Sequence, residues 1–143
     1  MKEIGVLYVS YDEGWLAAAI LGHLRENSDM AIVCVGGDNF PFAKQLLSVS
    51  GQPFKVVVLH MLAGCHELGY RQADRNFSTG LLRAEMLRKQ GLEIPIVLIS
   101  TQDLRRGVVH DHDARVKKAR VHFVGYDNGF RDIADTVRRV AGG

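Results

Sequence analysis

Short apolar runs and amphipathic stretches alternate along the whole chain. The runs at 4–9, 30–35, 94–99 and 121–124 read as strands, and the run at 56–59 lacks the polar alternation of a half-exposed strand, which predicts an inner strand covered on both faces. Between them, residues 15–26 repeat Leu16, Ile20 and Leu24 at every fourth position, and residues 41–49 set Phe42, Leu46 and Val49 along one side of a helix whose first turn tolerates Pro41. Ser78 and Thr79 are candidate N-caps for a helix over 80–90 that Gly91 ends. Residues 102–112 are ambiguous. Asp111 or Asp113 is placed to begin a fourth helix, and Lys117, Lys118 and Arg120 to end it, a charge order that complements the helix dipole. The last helix is the most strongly patterned, with Phe130, Ile133, Ala134, Val137, Val140 and Ala141 in one apolar stripe after an Asp127-Asn128-Gly129 turn.

Five strands in strict alternation with five helices imply a parallel sheet covered on both faces and joined by right-handed crossovers. At this length the expected fold is α/β, a single flavodoxin-like three-layer domain over residues 1–143 with strand order 2-1-3-4-5, residues 139–143 being a linker or a truncated end. Its switch point lies between strands one and three, so segments 10–14, 60–64 and 100–101 are expected to converge on a site. The polar segment 63–77 is long for a strand-to-helix connection and reads as a functional or disordered loop.

Composition narrows this only a little. A chain of 143 residues that is 47% hydrophobic buries a core without staples. Cys34 and Cys65 are its two cysteines; with no secretory leader visible, they read as reduced thiols in a cytoplasm. No apolar run reaches the length of a membrane span. A net charge of +2 makes no demand for nucleic acid.

Three segments carry a resemblance. "IPIVLIST" puts Ser100 at the end of strand four, "YDEGW" sets Tyr11, Asp12 and Glu13 after strand one, and "FKVVVLHM" puts His60 at the end of strand three. Together with "STGLLRAEMLRKQG" and "FRDIADTVRRV", they make nearly the whole chain resemble the receiver domain of two-component response regulators. The resemblance implies an acidic pair at positions 11 and 12, where Tyr11 and Asp12 stand with Glu13 beside them, a phosphoacceptor aspartate at position 60, a hydroxyl at Ser100 and a lysine ending strand five. The chain departs from that pattern at two essential places. His60 stands where the acceptor belongs, and "VHFVGYDNGF" has no lysine. Phosphoryl transfer needs a carboxylate nucleophile, a Mg²⁺ held by oxygens and a compensating cation, and imidazole suits Mg²⁺ poorly. The expectation is an atypical pseudo-receiver: no enzyme, no cofactor beyond weak residual Mg²⁺ binding at Asp12 and Glu13, and function through protein–protein contact. His60 is then expected to hydrogen-bond Asp12 or backbone; a phosphoacceptor or pH-sensitive role for it is the competing reading.

Other patterns weigh less. Cys65, His66, His110 and His112 are zinc-type ligands, but their spacing matches no finger or catalytic signature, and solvated loops account for them. Gly36-Gly37-Asp38 has no phosphate-loop pattern and reads as a turn. "VSYDEGW" also resembles the first strand and loop of TIR domains, which offers a small-molecule-binding enzyme, with Glu67 or Glu85 as a catalytic glutamate, as the alternative class. Arg105, Arg106, Arg115, Lys117, Lys118, Arg120 and Arg138 are concentrated late in the chain, with Arg131 and Arg139 beside them. In receivers the surface of helix four, strand five and helix five is the usual dimer and partner face, so the resemblance implies an acidic protein partner or a homodimer there. The absence of aromatic interleaving argues against nucleic acid.

Overall fold

The computed structural model describes residues 4–10, 15–61, 79–100, 112–125 and 129–142. Several expectations lie outside those residues: Tyr11, Asp12 and Glu13, the loop 63–77 with Cys65, His66 and Glu67, Ser78, Arg105, Arg106, His110, Asp111 and the turn at Asp127-Asn128.

Five parallel strands, β1 (Ile4–Val9), β2 (Met30–Val35), β3 (Val56–His60), β4 (Ile96–Ile99) and β5 (Val121–Val124), lie in the order β2-β1-β3-β4-β5. Helices α1 (Trp15–Arg25) and α5 (Arg131–Gly142) cover one face; α2 (Phe40–Ser48), α3 (Thr79–Lys89) and α4 (112–119) cover the other. The expected class and strand order are those observed, and the described residues form five α-helices. All five residues of β3 are buried, because the central strand is flanked by β1 and β4 and covered on both faces. Its alternate residues divide between two cores. Val57, Leu59 and Met61 pack with Leu7, Phe40, Leu81 and Leu98, whereas Val56 and Val58 pack with Tyr8, Ile20, Val97 and Val137.

Three local expectations are corrected. On α2 the buried stripe is Phe40, Ala43 and Leu47, while Phe42 and Val49 are 46% and 60% exposed. The helix starts one residue earlier than the proline suggests, and Phe40, at its first position, turns that face inward. Strand four begins at Ile96; Pro95 has no N–H to give a ladder, and its carbonyl accepts from Val57 N–H at 3.0 Å instead. Residues 139–142 form the last turn of α5, with Val140 in the core, rather than a linker.

The α3 terminus matches the sequence reading closely. Gly91 adopts φ +99°, its N–H bonds Arg88 O at 3.0 Å and Leu92 N–H bonds Leu87 O at 3.1 Å. This is a Schellman ending, with Leu87 and Leu92 meeting in the core as its hydrophobic contact.

Candidate functional site

At the C-terminal edge of the sheet, β1 supplies Tyr8 and Ser10, β3 supplies His60 and β4 leads into Ser100. The backbone remains paired past the strand ends: Ser10 N–H donates to Val35 O at 2.9 Å, Met61 N–H to Ile99 O at 2.8 Å and Ser100 N–H to Val124 O at 2.9 Å. His60 and Ser100 are each only 5% exposed.

The strand period of two puts His60 on the same side as Val56 and Val58, facing Tyr8. Tyr8 Oη and His60 Nε2 are 2.6 Å apart, with ring centroids at 5.5 Å. Burial lowers the His60 pKa to about 4 and pushes the Tyr8 phenol well above its ordinary range, with nearby Cys34 adding to the rise. One hydrogen therefore lies between two uncharged groups at neutral pH. The Cys34 thiol, the β2 neighbour of Tyr8, is pushed up mainly by burial, against a hydrogen bond from Ser10 and the charge of Arg25. Such a thiol holds little thiolate.

Helix α3 closes directly onto this strand end. Gly80 N–H donates to Met61 O at 3.0 Å, and a Cβ at position 80 would lie 2.4 Å from His60 O and 2.8 Å from Met61 Cα. Only glycine permits so close an approach. Thr79 belongs to the helix, and its hydroxyl is buried without a hydrogen-bond partner, so it is not the cap the sequence suggests. Arg83 is 1% exposed; its Nη2 donates to Gly37 O at 2.6 Å and its guanidinium lies 5.0 Å from the Phe40 ring centre, tying the segment after β2 to α3.

Sequence reasoning found His60 and missed Tyr8 and Arg83. Tyr8 is the single polar-tipped side chain in the run "IGVLYV" and shares its parity with Val6, which was the available signal. Nothing in the sequence distinguishes Arg83 from an exposed helix arginine.

His60 brings no oxygen to a Mg²⁺, and its Nε2 is engaged by Tyr8.

The structure distributes the basic residues among different neighbours. Arg115 forms a two-point ion pair with Glu85, its Nε 3.0 Å from Oε2. That places Glu85 on the α3–α4 side and not at the strand ends. Lys117 pairs with Asp113 at 3.0 Å and Arg120 with Glu93 at 3.2 Å. Arg138 reaches the other way: its Nε is 2.8 Å from Asp29, and its Nη2 donates to Asn27, fastening α5 to the turn before β2. Asp29 borders β2, the edge of the sheet opposite β5, so Arg138 is engaged away from Arg115, Lys117, Lys118 and Arg120.

No helix among the described residues is long and apolar enough to cross a membrane. No family model matches the chain. No curated protein matches it. Solved structures do. One belongs to a family of redox sensors in the streptococci that evolved from two-component response regulators; it shares 13% identity at a TM-score of 0.65, over 97% of this chain and 52% of that one. The chain thus spans about half the length of that neighbour. Another is a response regulator receiver protein from Pseudoalteromonas atlantica, 16% identical at a TM-score of 0.62, over 96% of this chain and 98% of that one. At these identities the likeness is one of fold, and the fold is that of receiver domains.

Proposed function

We propose that this chain is a receiver-like regulatory domain that has given up aspartyl phosphorylation and acts by binding another protein. The observation that carries the reading is His60. The position at the end of β3 that the receiver resemblance assigns to a carboxylate nucleophile holds a neutral, 5% exposed imidazole bonded to a buried tyrosine. A phosphoryl acceptor must meet its donor, and a group sealed in this way does not. Val124 is followed by Gly125, so no lysine stands at the end of β5 to offset phosphoryl charge. In this reading the domain is no enzyme and works without a cofactor, any residual Mg²⁺ binding being confined to Asp12 and Glu13. Its partner is acidic, a homodimer through α4, β5 and α5 is the alternative assembly, and its free Cys34 suits a cytoplasm.

Incubation with acetyl phosphate and Mg²⁺, followed by intact-mass measurement, tests the first half. The expected result is an unchanged mass. A phosphoryl gain abolished by His60→Ala would replace the reading with that of a receiver using a non-standard acceptor.

A further inference from the structure

Far from His60, the C-terminal ends of α3 and α4 enclose a groove of about 600 Å³ lined by Glu85, Arg88, Lys89, Lys118, Ala119 and Arg120. Among the described residues that line it, four cations face one carboxylate, and that carboxylate already pairs with Arg115. Two features separate this cluster from an ordinary solvated helix end.

The first is Arg88. Its guanidinium donates to four carbonyl oxygens, of Ala119 at 2.8 Å, Leu92 at 2.9 Å, Ile94 at 2.8 Å and Arg120 at 3.3 Å. These contacts hold the charge rigidly in a partly buried position without neutralising it. The neighbouring Arg120 charge adds repulsion, only partly offset by Glu93.

The second is Arg120 itself. Among the described residues it is the one non-glycine at positive φ, +55°, in a helix-ending position that glycine or asparagine usually fills. A side chain kept where the backbone disfavours it points to a use for that side chain. Its ion pair with Glu93 is exposed on both sides and therefore weak.

We infer that this groove docks an acidic, carboxylate-bearing segment of a partner protein. The lining chooses among anions. Arg88 has most of its donors committed to carbonyls and offers no planar fork of its own to a compact phosphate. No aromatic side chain among the described residues lines the groove to stack a base. Lys89 and Lys118 are point charges on flexible stems, suited to carboxylates spread along an extended peptide. The inference deepens the protein-binding half of the proposed function and does not depend on whether the domain accepts a phosphoryl group.

The test is fluorescence anisotropy of a labelled Glu-Ser repeat peptide titrated with the full chain. Inorganic phosphate and a single-stranded RNA oligonucleotide serve as competitors. The expected result is saturable binding, weakened on the order of tenfold or more by Lys89→Glu with Lys118→Glu, and little changed by Lys117→Glu, which alters charge on the same helix outside the groove. Melting curves of the variants confirm that they fold. Absence of peptide binding, equal binding by the groove and control variants, or tighter binding of RNA or phosphate than of peptide would each overturn the inference. An unchanged intact mass with acetyl phosphate beside a failed titration would overturn the groove alone. A phosphoryl gain beside a successful titration would overturn the pseudo-receiver reading alone.

Discussion

The end of β3 and the groove between α3 and α4 treat charge in opposite ways. At the strand end, His60 and Tyr8 are buried, uncharged and matched to each other, and α3 lies so close that only glycine fits between. In the groove, cations crowd one another, and the most constrained of them, Arg88, is held by neutral carbonyls. In this molecule the described part of the edge where α/β sheets usually place their chemistry is sealed and neutral. The unspent electrostatic potential lies elsewhere.

The largest effect expected from breaking the contrast is at Gly80. Gly80→Ala forces α3 off the His60–Met61 backbone and should cost about 3 kcal/mol in urea unfolding, or prevent folding. Gly22→Ala is the control: nothing lies within 4 Å of a Cβ there, on an exposed helical position, and it should stabilise by about 0.5–1 kcal/mol. Similar outcomes for the two would remove the tight-approach argument.

The next largest concerns pH. His60 stays neutral in the fold down to about 4, whereas an unfolded histidine titrates near 6.5. Between those values the unfolded chain binds more protons, so stability falls as pH drops through that window, by up to about 3 kcal/mol from this group. His60→Gln should flatten the difference between stability at pH 7 and at pH 5. An unchanged slope would mean that His60 is not held neutral.

Tyr8→Phe removes the hydroxyl bonded to His60 Nε2 and should cost about 1–2 kcal/mol. The smallest effect, and the sharpest test of the contrast, is Arg120→Gly. Relief of the left-handed backbone should stabilise the domain by up to about 1 kcal/mol, while acidic-peptide binding weakens. A variant that is both less stable and unchanged in binding would show that the arginine serves the fold.

Most of the fold was legible because its strands are continuous apolar runs and its helices carry strong caps or stripes. β2 and the Schellman glycine at 91 follow directly from such signals. The α2 face was misread because two apolar stripes, Phe40-Ala43-Leu47 and Phe42-Leu46-Val49, run along one short helix, and only tertiary packing selects between them. His60 was legible as a departure from a pattern. Its partner was not, because a hydrogen bond across 52 residues depends on register, which no local signal encodes. The groove was half legible: the late basic residues stood out, but Arg88 and Lys89 come from α3, and Arg138, counted with them, is tied to Asp29 on the other side.

The most direct test of the central claim is an amide NMR titration of the full chain with Mg²⁺ and then beryllofluoride, a mimic of the phosphoryl group. The account predicts a well-dispersed spectrum in which His60, Ser100 and α4 do not shift. Shifts that begin at His60 and Ser100 and spread into α4 would show a working phosphorylation switch and contradict it.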